Sequence, residues 1–352
     1  MQYLTKRSAA LPPYIPGTHE ADENVLLLNS NESPYPPSKG VREAILSVIS
    51  GLNVYNDPDC WELREALAAR LCIRPENVMA ANGSDQALYL SLMAFAGEER
   101  TVLLPQLTYD YYDDFAAALG VRLEKKSVRG DFSLDPADFR EAGKMVLFPN
   151  PNAPTGLALS LKEIKSILEA DVSRIVVIDE AYAEFGAESA LPLIADYPNL
   201  LITRTFSKSG SLAGARLGYA LGSAELISEL SVVRSACDLY GVSAMAQAAG
   251  AAACREWEYY EENCKKIVMT REWSKKRLKV INCELTESLG NFLFVKPPLS
   301  AKYVYEKLRE YGILVRYWDK PFICDRLRIT VGTMEQMKRL CDAMERILKE
   351  EP

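Results

Sequence analysis

Apolar and polar positions follow two rhythms along the chain. Short apolar runs bounded by turn residues recur at 77–81, 101–104, 144–148, 175–178, 200–203 and 219–221. Runs of that kind, with no polar alternation, are typical of parallel strands buried on both faces. Between them, helical spacing is found at 84–96, 109–119, 160–170 and 224–233. The alternation predicts an α/β chain with a largely parallel sheet covered by helices on both faces. A long stretch rich in Ala, Glu and Lys, from about 243 to 280, is expected to be a helix bridging two lobes.

Beyond that stretch the pattern changes. Strand candidates at 292–295, 313–316 and 327–330 alternate with helices at 302–311 and 334–348. The last of these lines up Met334, Met337, Leu340, Cys341, Met344 and Leu348 at three- and four-residue spacing, an apolar face for packing on a small sheet. Residues 11–37, rich in Pro, Asn and Gly, are expected to run over the surface and join the second lobe. The expected organisation is an N-terminal segment (1–37) joining the small lobe, a large domain (38–265) and a small C-terminal α/β domain (266–352). There is no internal repeat and no low-complexity tract.

Composition narrows the chemistry. A net charge of −7 argues against a nucleic-acid surface, which needs a basic face. No apolar run approaches the length of a membrane span, and residues 1–10 have no apolar core of a secretory signal, so a cytoplasmic protein is expected. The 8 cysteines are scattered singly with no C-x-x-C pair, which reads as reduced, packed thiols rather than a disulfide frame or zinc site. The single histidine, His19, reads as a surface residue, which leaves no basis for a His-based triad or metal cluster.

Candidate ligand-binding loops fall at predicted strand ends, where open parallel sheets bind their ligands. Asn82-Gly83-Ser84-Asp85 precedes a helix whose first-turn N–H groups and dipole suit a phosphate. An ordinary capped helix start would look the same. Asn150-Pro151-Asn152-Ala153-Pro154-Thr155-Gly156 is a rigid turn with amide side chains, and alone it is only a turn. Asp179-Glu180-Ala181-Tyr182 follows three β-branched residues. It puts a carboxylate at a strand's end, half-buried and in need of a partner, with a phenol three residues on. A structural salt bridge is the competing reading.

The last loop runs from Thr203 to Tyr219. It gathers hydroxyls at Thr205, Ser207 and Ser209 around Lys208, with Arg216 eight residues beyond the lysine. A lysine in such a site is a good partner for an aldehyde, and Ser207 with Arg216 can hold a phosphate. Together these loops supply what pyridoxal 5′-phosphate (PLP) requires. Asp179 is the acid beside the pyridine nitrogen, Tyr182 a donor to the ring phenolate and Lys208 the aldehyde partner, while Ser84, Asp85, Ser207 and Arg216 surround the phosphate, with Thr205 beside them.

On these motifs the chain resembles the fold-type-I aminotransferases, and within them looks most like the histidinol-phosphate aminotransferases. The resemblance extends to Leu28-Asn29-Ser30-Asn31-Glu32-Ser33-Pro34-Tyr35, Tyr55-Asn56-Asp57-Pro58, Gly290-Asn291-Phe292, 312–316 and 327–333. It implies a mostly parallel seven-stranded sheet in the large domain and transamination between glutamate and a phosphorylated keto acceptor. It also implies a homodimer with shared sites, in which Tyr55 reaches the PLP phosphate of the neighbouring subunit. Tyr109 would stack on the pyridine ring. Arg328 would clamp the glutamate carboxylate, and Arg316, with Arg328 and Tyr14 or Asn31, would meet the substrate phosphate.

The sequence departs from the family in two places. Ala153 stands where the family usually has an Asn donor to the ring phenolate, so either Asn152 takes that role or the bond is missing. Leu107 replaces a proline before Thr108-Tyr109. Rival readings are an aromatic amino-acid aminotransferase, which lacks a phosphate site, and a threonine-phosphate decarboxylase, which usually departs from the 29–35 pattern. A PLP-binding sensor domain of a regulator would carry a basic DNA-binding region ahead of the first motif, and none is expected here.

Overall fold

A computed structural model of the chain describes residues 3–11 and 25–349. The strands in chain order begin with β1 (Leu26–Leu27), β2 (Val78–Ala81), β3 (Thr101–Pro105), β4 (Arg122–Lys126) and β5 (Met145–Pro149). They continue with β6 (Val176–Asp179), β7 (Leu200–Thr205), β8 (Gly218–Leu221) and β9 (Glu284–Leu285). The last are β10 (Phe292–Lys296), β11 (Ile313–Leu314), β12 (Arg316–Tyr317) and β13 (Leu327–Thr330).

The main sheet has 7 strands in the order β2-β8-β7-β6-β5-β3-β4. Its apolar runs serve two cores at once because strand side chains alternate in direction. Val176, Ile178, Leu200 and Ile202 enter the core on one face, and Val177, Leu147 and Leu201 the core on the other. The second sheet has 4 strands in the order β12-β13-β10-β9. It is covered by the helix Met334–Lys349, whose Met337, Leu340, Cys341 and Met344 are buried as the spacing predicts. The helix Trp257–Val280 joins the two bodies: Trp257 and Tyr260 pack in the large core, Ile267 and Leu278 in the small one.

Several expectations need correction. The strand at 219–221, expected to be parallel, is antiparallel to both of its neighbours, β2 and β7. No crossover helix separates β7 from β8, and a direct return reverses the chain. The long helix from 243 is two helices, Ala244–Arg255 and Trp257–Val280, broken at Glu256. Glu is a good helix former, so the break has no local signal; here the Glu256 carboxylate accepts from the Gly40 N–H at 3.2 Å. The run 313–316 is split, since Leu314 pairs with β1 while Arg316 pairs with β13. The helix expected from 109 begins at Tyr111.

Three short strands had no clear pattern. Strand β4, Arg-Leu-Glu-Lys-Lys, lies at the sheet's edge, where charged residues are the rule. Strand β1 joins the N-terminal segment to the second body by parallel pairing with β11, and Leu28 is buried beside it. Strand β9 pairs with the end of β10.

Among the described residues no helix is long and apolar enough to cross a membrane, and no cluster of His, Cys, Asp or Glu could hold a metal ion. The 8 cysteines are free thiols. Burial pushes the thiols of Cys60, Cys254, Cys264 and Cys283 up to about 12, so they stay protonated and unreactive.

Candidate active site

A cavity of about 350 Å³ opens at the carboxyl ends of β5, β6 and β7, which place Pro149, Asp179 and Thr205 in its wall. The loops after those strands add Tyr182 and Lys208. This is where the crossovers of an open sheet leave a crevice.

Asp179 ends β6 and is buried more deeply than the sequence suggests, at 4% exposure. Its Oδ2 accepts the hydroxyl of Tyr112 at 2.8 Å. Its Oδ1 accepts the Ala181 N–H at 3.1 Å and the Thr203 hydroxyl at 3.3 Å. Burial nevertheless pushes the carboxyl up to about 6; these donors pull it down, and the charge of Asp85 pushes it up. No cation faces it among its described partners, so a protonated base entering the cavity would complete its environment.

The phenol of Tyr182 accepts from Asn31 Nδ2 at 3.0 Å. Among the described residues nothing accepts the Tyr182 proton, which is left to point into the cavity. Lys208 Nζ donates to the Ser30 carbonyl at 3.0 Å and lies 6.0 Å from the Tyr182 ring centre. No carboxylate pairs with it among the described residues. The amine is thus held by a neutral acceptor beside a phenol.

At the other end of the cavity the helix Gly83–Phe95 points its N-terminus inward, and Ser84 enters the wall. Gly83 is required there: its φ is +79°, and a Cβ would come 2.8 Å from Nη2 of Arg216. Arg216 itself holds a left-handed φ of 52°. Its Nη1 reaches Ser207 Oγ at 3.4 Å and its Nη2 the Asp85 carboxylate at 3.0 Å. Asp85 lines the same wall, but its carboxylate would repel a phosphate. Its side chain holds Arg216 and accepts the Tyr109 hydroxyl at 3.2 Å, so only its backbone N–H is left for an anion. The Thr205 hydroxyl is also engaged, accepting the Ser207 N–H at 3.0 Å and donating to the Leu217 carbonyl, so it shapes the loop. Tyr109 is in the wall, whereas Tyr112 is buried and turned to Asp179.

The remaining expected residues divide. Arg316 and Arg328 face each other across β12 and β13. Arg328 lies near Tyr182 and Tyr109, and burial lowers its pKa. Asn31 is not placed to touch a substrate. It is 1% exposed, and its amide bridges Tyr182 and Thr330. Asn152 is likewise displaced: its Nδ2 donates to the Leu107 carbonyl at 2.9 Å, while Ala153 takes the place in the cavity wall. Gly156 fastens this turn, since its φ is +76° and a Cβ would meet Ser288 Oγ at 2.1 Å. Tyr55 lies outside the cavity at 80% exposure, stacked on Tyr240 with ring centres 4.5 Å apart. Tyr14 falls outside the described residues.

Sequence reasoning missed Tyr112 as the partner of Asp179 and Asn31 as the partner of Tyr182. The spacing of Tyr109 and Tyr112, one helical turn apart, was an available signal for the first. Nothing local announces the second, because Asn31 is held beside Tyr182 by distant residues, its N–H by the Thr330 hydroxyl and its carbonyl by the Asn291 amide.

Comparison with known proteins agrees with this arrangement. The family model described as aminotransferase class I and II matches residues 23–344. A histidinol-phosphate aminotransferase of Clostridium acetobutylicum is 40% identical over 346 residues, covering 98% of each chain. Another, of Acinetobacter baumannii, is 39% identical and covers 98% of this chain and 97% of its own. The solved histidinol-phosphate aminotransferase of Sinorhizobium meliloti, in complex with pyridoxal 5′-phosphate, superimposes with a TM-score of 0.87 at 26% identity, covering 99% of this chain and 98% of its own. A cavity at the sheet's carboxyl edge with a buried acid, a phenol and an amine without an acidic partner, together with these matches over nearly the whole chain, show that it belongs to the class I and II aminotransferases, in the histidinol-phosphate aminotransferase family.

Proposed function

We propose that the chain is a PLP-dependent transaminase that moves the amino group of glutamate to imidazole acetol phosphate, giving 2-oxoglutarate and histidinol phosphate in histidine biosynthesis. The observation that carries the substrate choice is the cross-strand pair Arg316–Arg328, two guanidiniums in no salt bridge among the described residues, with Arg328 near Tyr182 and Tyr109. The two carboxylates of glutamate, or a single phosphate whose oxygens can take both guanidiniums, supply what that pair lacks.

The donor set fits the cofactor. Asp179 offers a buried carboxylate for a protonated pyridine nitrogen, and Tyr182 has a free proton for the ring oxygen. Ser207, Arg216 and the first-turn N–H groups at Ser84 and Asp85 suit the phosphate, with room made by Gly83. When bound, PLP supplies an electron sink for the negative charge that develops at the substrate Cα.

In this reading Lys208 would hold the cofactor covalently between turnovers, and its freed amine would move the proton from the substrate Cα to C4′ of the cofactor. Asp179, ionised, would hold the ring nitrogen of the cofactor protonated. Tyr182, positioned by Asn31, would direct its proton to the ring oxygen, so that the site would not depend on a donor at position 153. Tyr109, its hydroxyl tied to Asp85, would stack on the ring. Arg328 would take the α-carboxylate of glutamate and Arg316 its distal carboxylate, and the two together the phosphate of the other substrate, which bears no carboxylate.

The working form in this proposal is a homodimer with shared sites. Tyr55 is exposed among Leu52, Val54 and Trp61, an apolar face available to a second copy, and its hydroxyl would reach that copy's phosphate cup. The free thiols suit a reducing, cytoplasmic setting.

The test compares kcat/KM for histidinol phosphate, histidinol and phenylalanine with 2-oxoglutarate as acceptor. Preference for the phosphate ester by about a hundredfold or more is expected, since losing a charged contact costs roughly 3 kcal/mol. Equal use of histidinol, or preference for phenylalanine, would place the chain with a different substrate.

A further inference from the structure

Residues directly opposite in an antiparallel pair share one face of the sheet, and like charges in that relation destabilise it. Arg316 and Arg328 stand in that relation. The Nη2 of Arg328 donates to the Asn29 carbonyl at 2.9 Å, and its Nε is buried with no partner. What lies against both cations is the indole of Trp318. The Arg316 guanidinium carbon is 5.3 Å from the ring centre, and so is that of Arg328. Both distances are within the reach of a cation–π attraction.

An acid between two arginines would neutralise them and block an anion. An aromatic face does neither: it attracts each cation weakly and leaves its N–H donors free. The segment that carries Trp318 is also tied to the large lobe. Two residues on, Lys320 Nζ is 2.9 Å from the carboxylate of Asp110, the neighbour of Tyr109 in the cavity wall.

We propose that Trp318 is a positioning residue for the anionic substrates: its indole holds the guanidiniums of Arg316 and Arg328 at a fixed separation, set for the two carboxylates of glutamate and for the phosphate of histidinol phosphate, which takes both. The inference rests on the aminotransferase reading above and adds a residue to it. Trp318 acts through the two arginines and takes no part in proton transfer.

The experiment uses the holoenzyme and the variants Trp318→Ala and Trp318→Phe. Trp318→Ala is expected to raise KM for glutamate and for histidinol phosphate about tenfold, with kcat within about twofold. KM for alanine, which has one carboxylate, rises by a smaller factor. Trp318→Phe keeps an aromatic face and restores most of the loss. An unchanged KM for glutamate in Trp318→Ala, or an equal rise for alanine, overturns the inference.

A second readout needs no turnover. Glutarate, an unreactive dicarboxylate, is expected to change the tryptophan fluorescence of the wild type and not that of Trp318→Phe, which retains Trp61, Trp257 and Trp273. A wild-type signal insensitive to glutarate at concentrations that inhibit the enzyme overturns the inference even if Trp318→Ala does not fold. The two claims fail separately. A wild type that ignores histidinol phosphate removes the substrate reading, whereas the glutamate and glutarate results decide the role of Trp318.

Discussion

The hydroxyl of Tyr112 donates to Oδ2 of Asp179 at 2.8 Å, with both side chains buried. Burial raises the Tyr112 pKa far above its usual value, so the phenol is a fixed donor. It favours the ionised form of a carboxylate that burial would otherwise neutralise, and it orients that carboxylate for a cationic ring. Tyr112→Phe is expected to weaken cofactor binding about tenfold, the order of one hydrogen bond to a charged group. Equilibrium dialysis of PLP against the purified variant measures this, and unchanged retention would reduce the bond to a packing contact.

The pH dependence follows from the same carboxyl. In the cofactor-free protein it titrates at about 6 against an ordinary 3.8. Between those values the folded state binds more protons than the unfolded chain, so the contribution of Asp179 to stability falls as pH rises through the window. Asp179→Asn, which stays neutral, is expected to melt higher than the cofactor-free wild type above pH 6, with the advantage shrinking toward pH 4. Cofactor affinity should run the other way, dropping as pH falls below about 6, because pairing with the pyridine cation needs the ionised acid. Melting curves and PLP titrations at several pH values test both signs.

On the opposite side of β6 the residue after Asp179 has a structural task. Glu180 is fully buried and accepts Arg204 Nε at 3.0 Å, Arg204 Nη2 at 2.8 Å and the Ser189 hydroxyl at 2.8 Å. Glu180→Gln removes the nearer of the two carboxylates that face a buried guanidinium and is expected to cost about 3 kcal/mol in denaturant unfolding. The protein that remains folded should transaminate at a rate close to the wild type. A loss below about 1 kcal/mol would mean that Glu184, 3.6 Å from Arg204, takes over the pairing.

The legible parts of the chain were those with a strong local signature. Apolar runs such as Val176-Val177-Ile178 can only be strands inside a two-faced sheet, and the acid that follows them must lie at the sheet's edge. The loop around Lys208 announced itself by composition. What depends on distant pairing was hidden: the reversed direction of β8, the polar edge strand β4, and the split at Val315, which sends Leu314 to β1 and Arg316 to β13. The same holds within the site. Asn31 serves Tyr182 across 151 positions of sequence, and Asp85 holds Arg216 across 131. Motif spacing marks such residues as important without saying which group each one touches.

The most direct test of the central claim is the second half-reaction. The holoenzyme is converted to its pyridoxamine form with glutamate, then offered imidazole acetol phosphate and phenylpyruvate separately while the absorbance of the pyridoxal form is followed. The account predicts a rapid return with the phosphorylated imidazole ketone and little or none with phenylpyruvate. A faster return with phenylpyruvate would contradict it, and would leave Arg316 only the distal carboxylate of glutamate to bind.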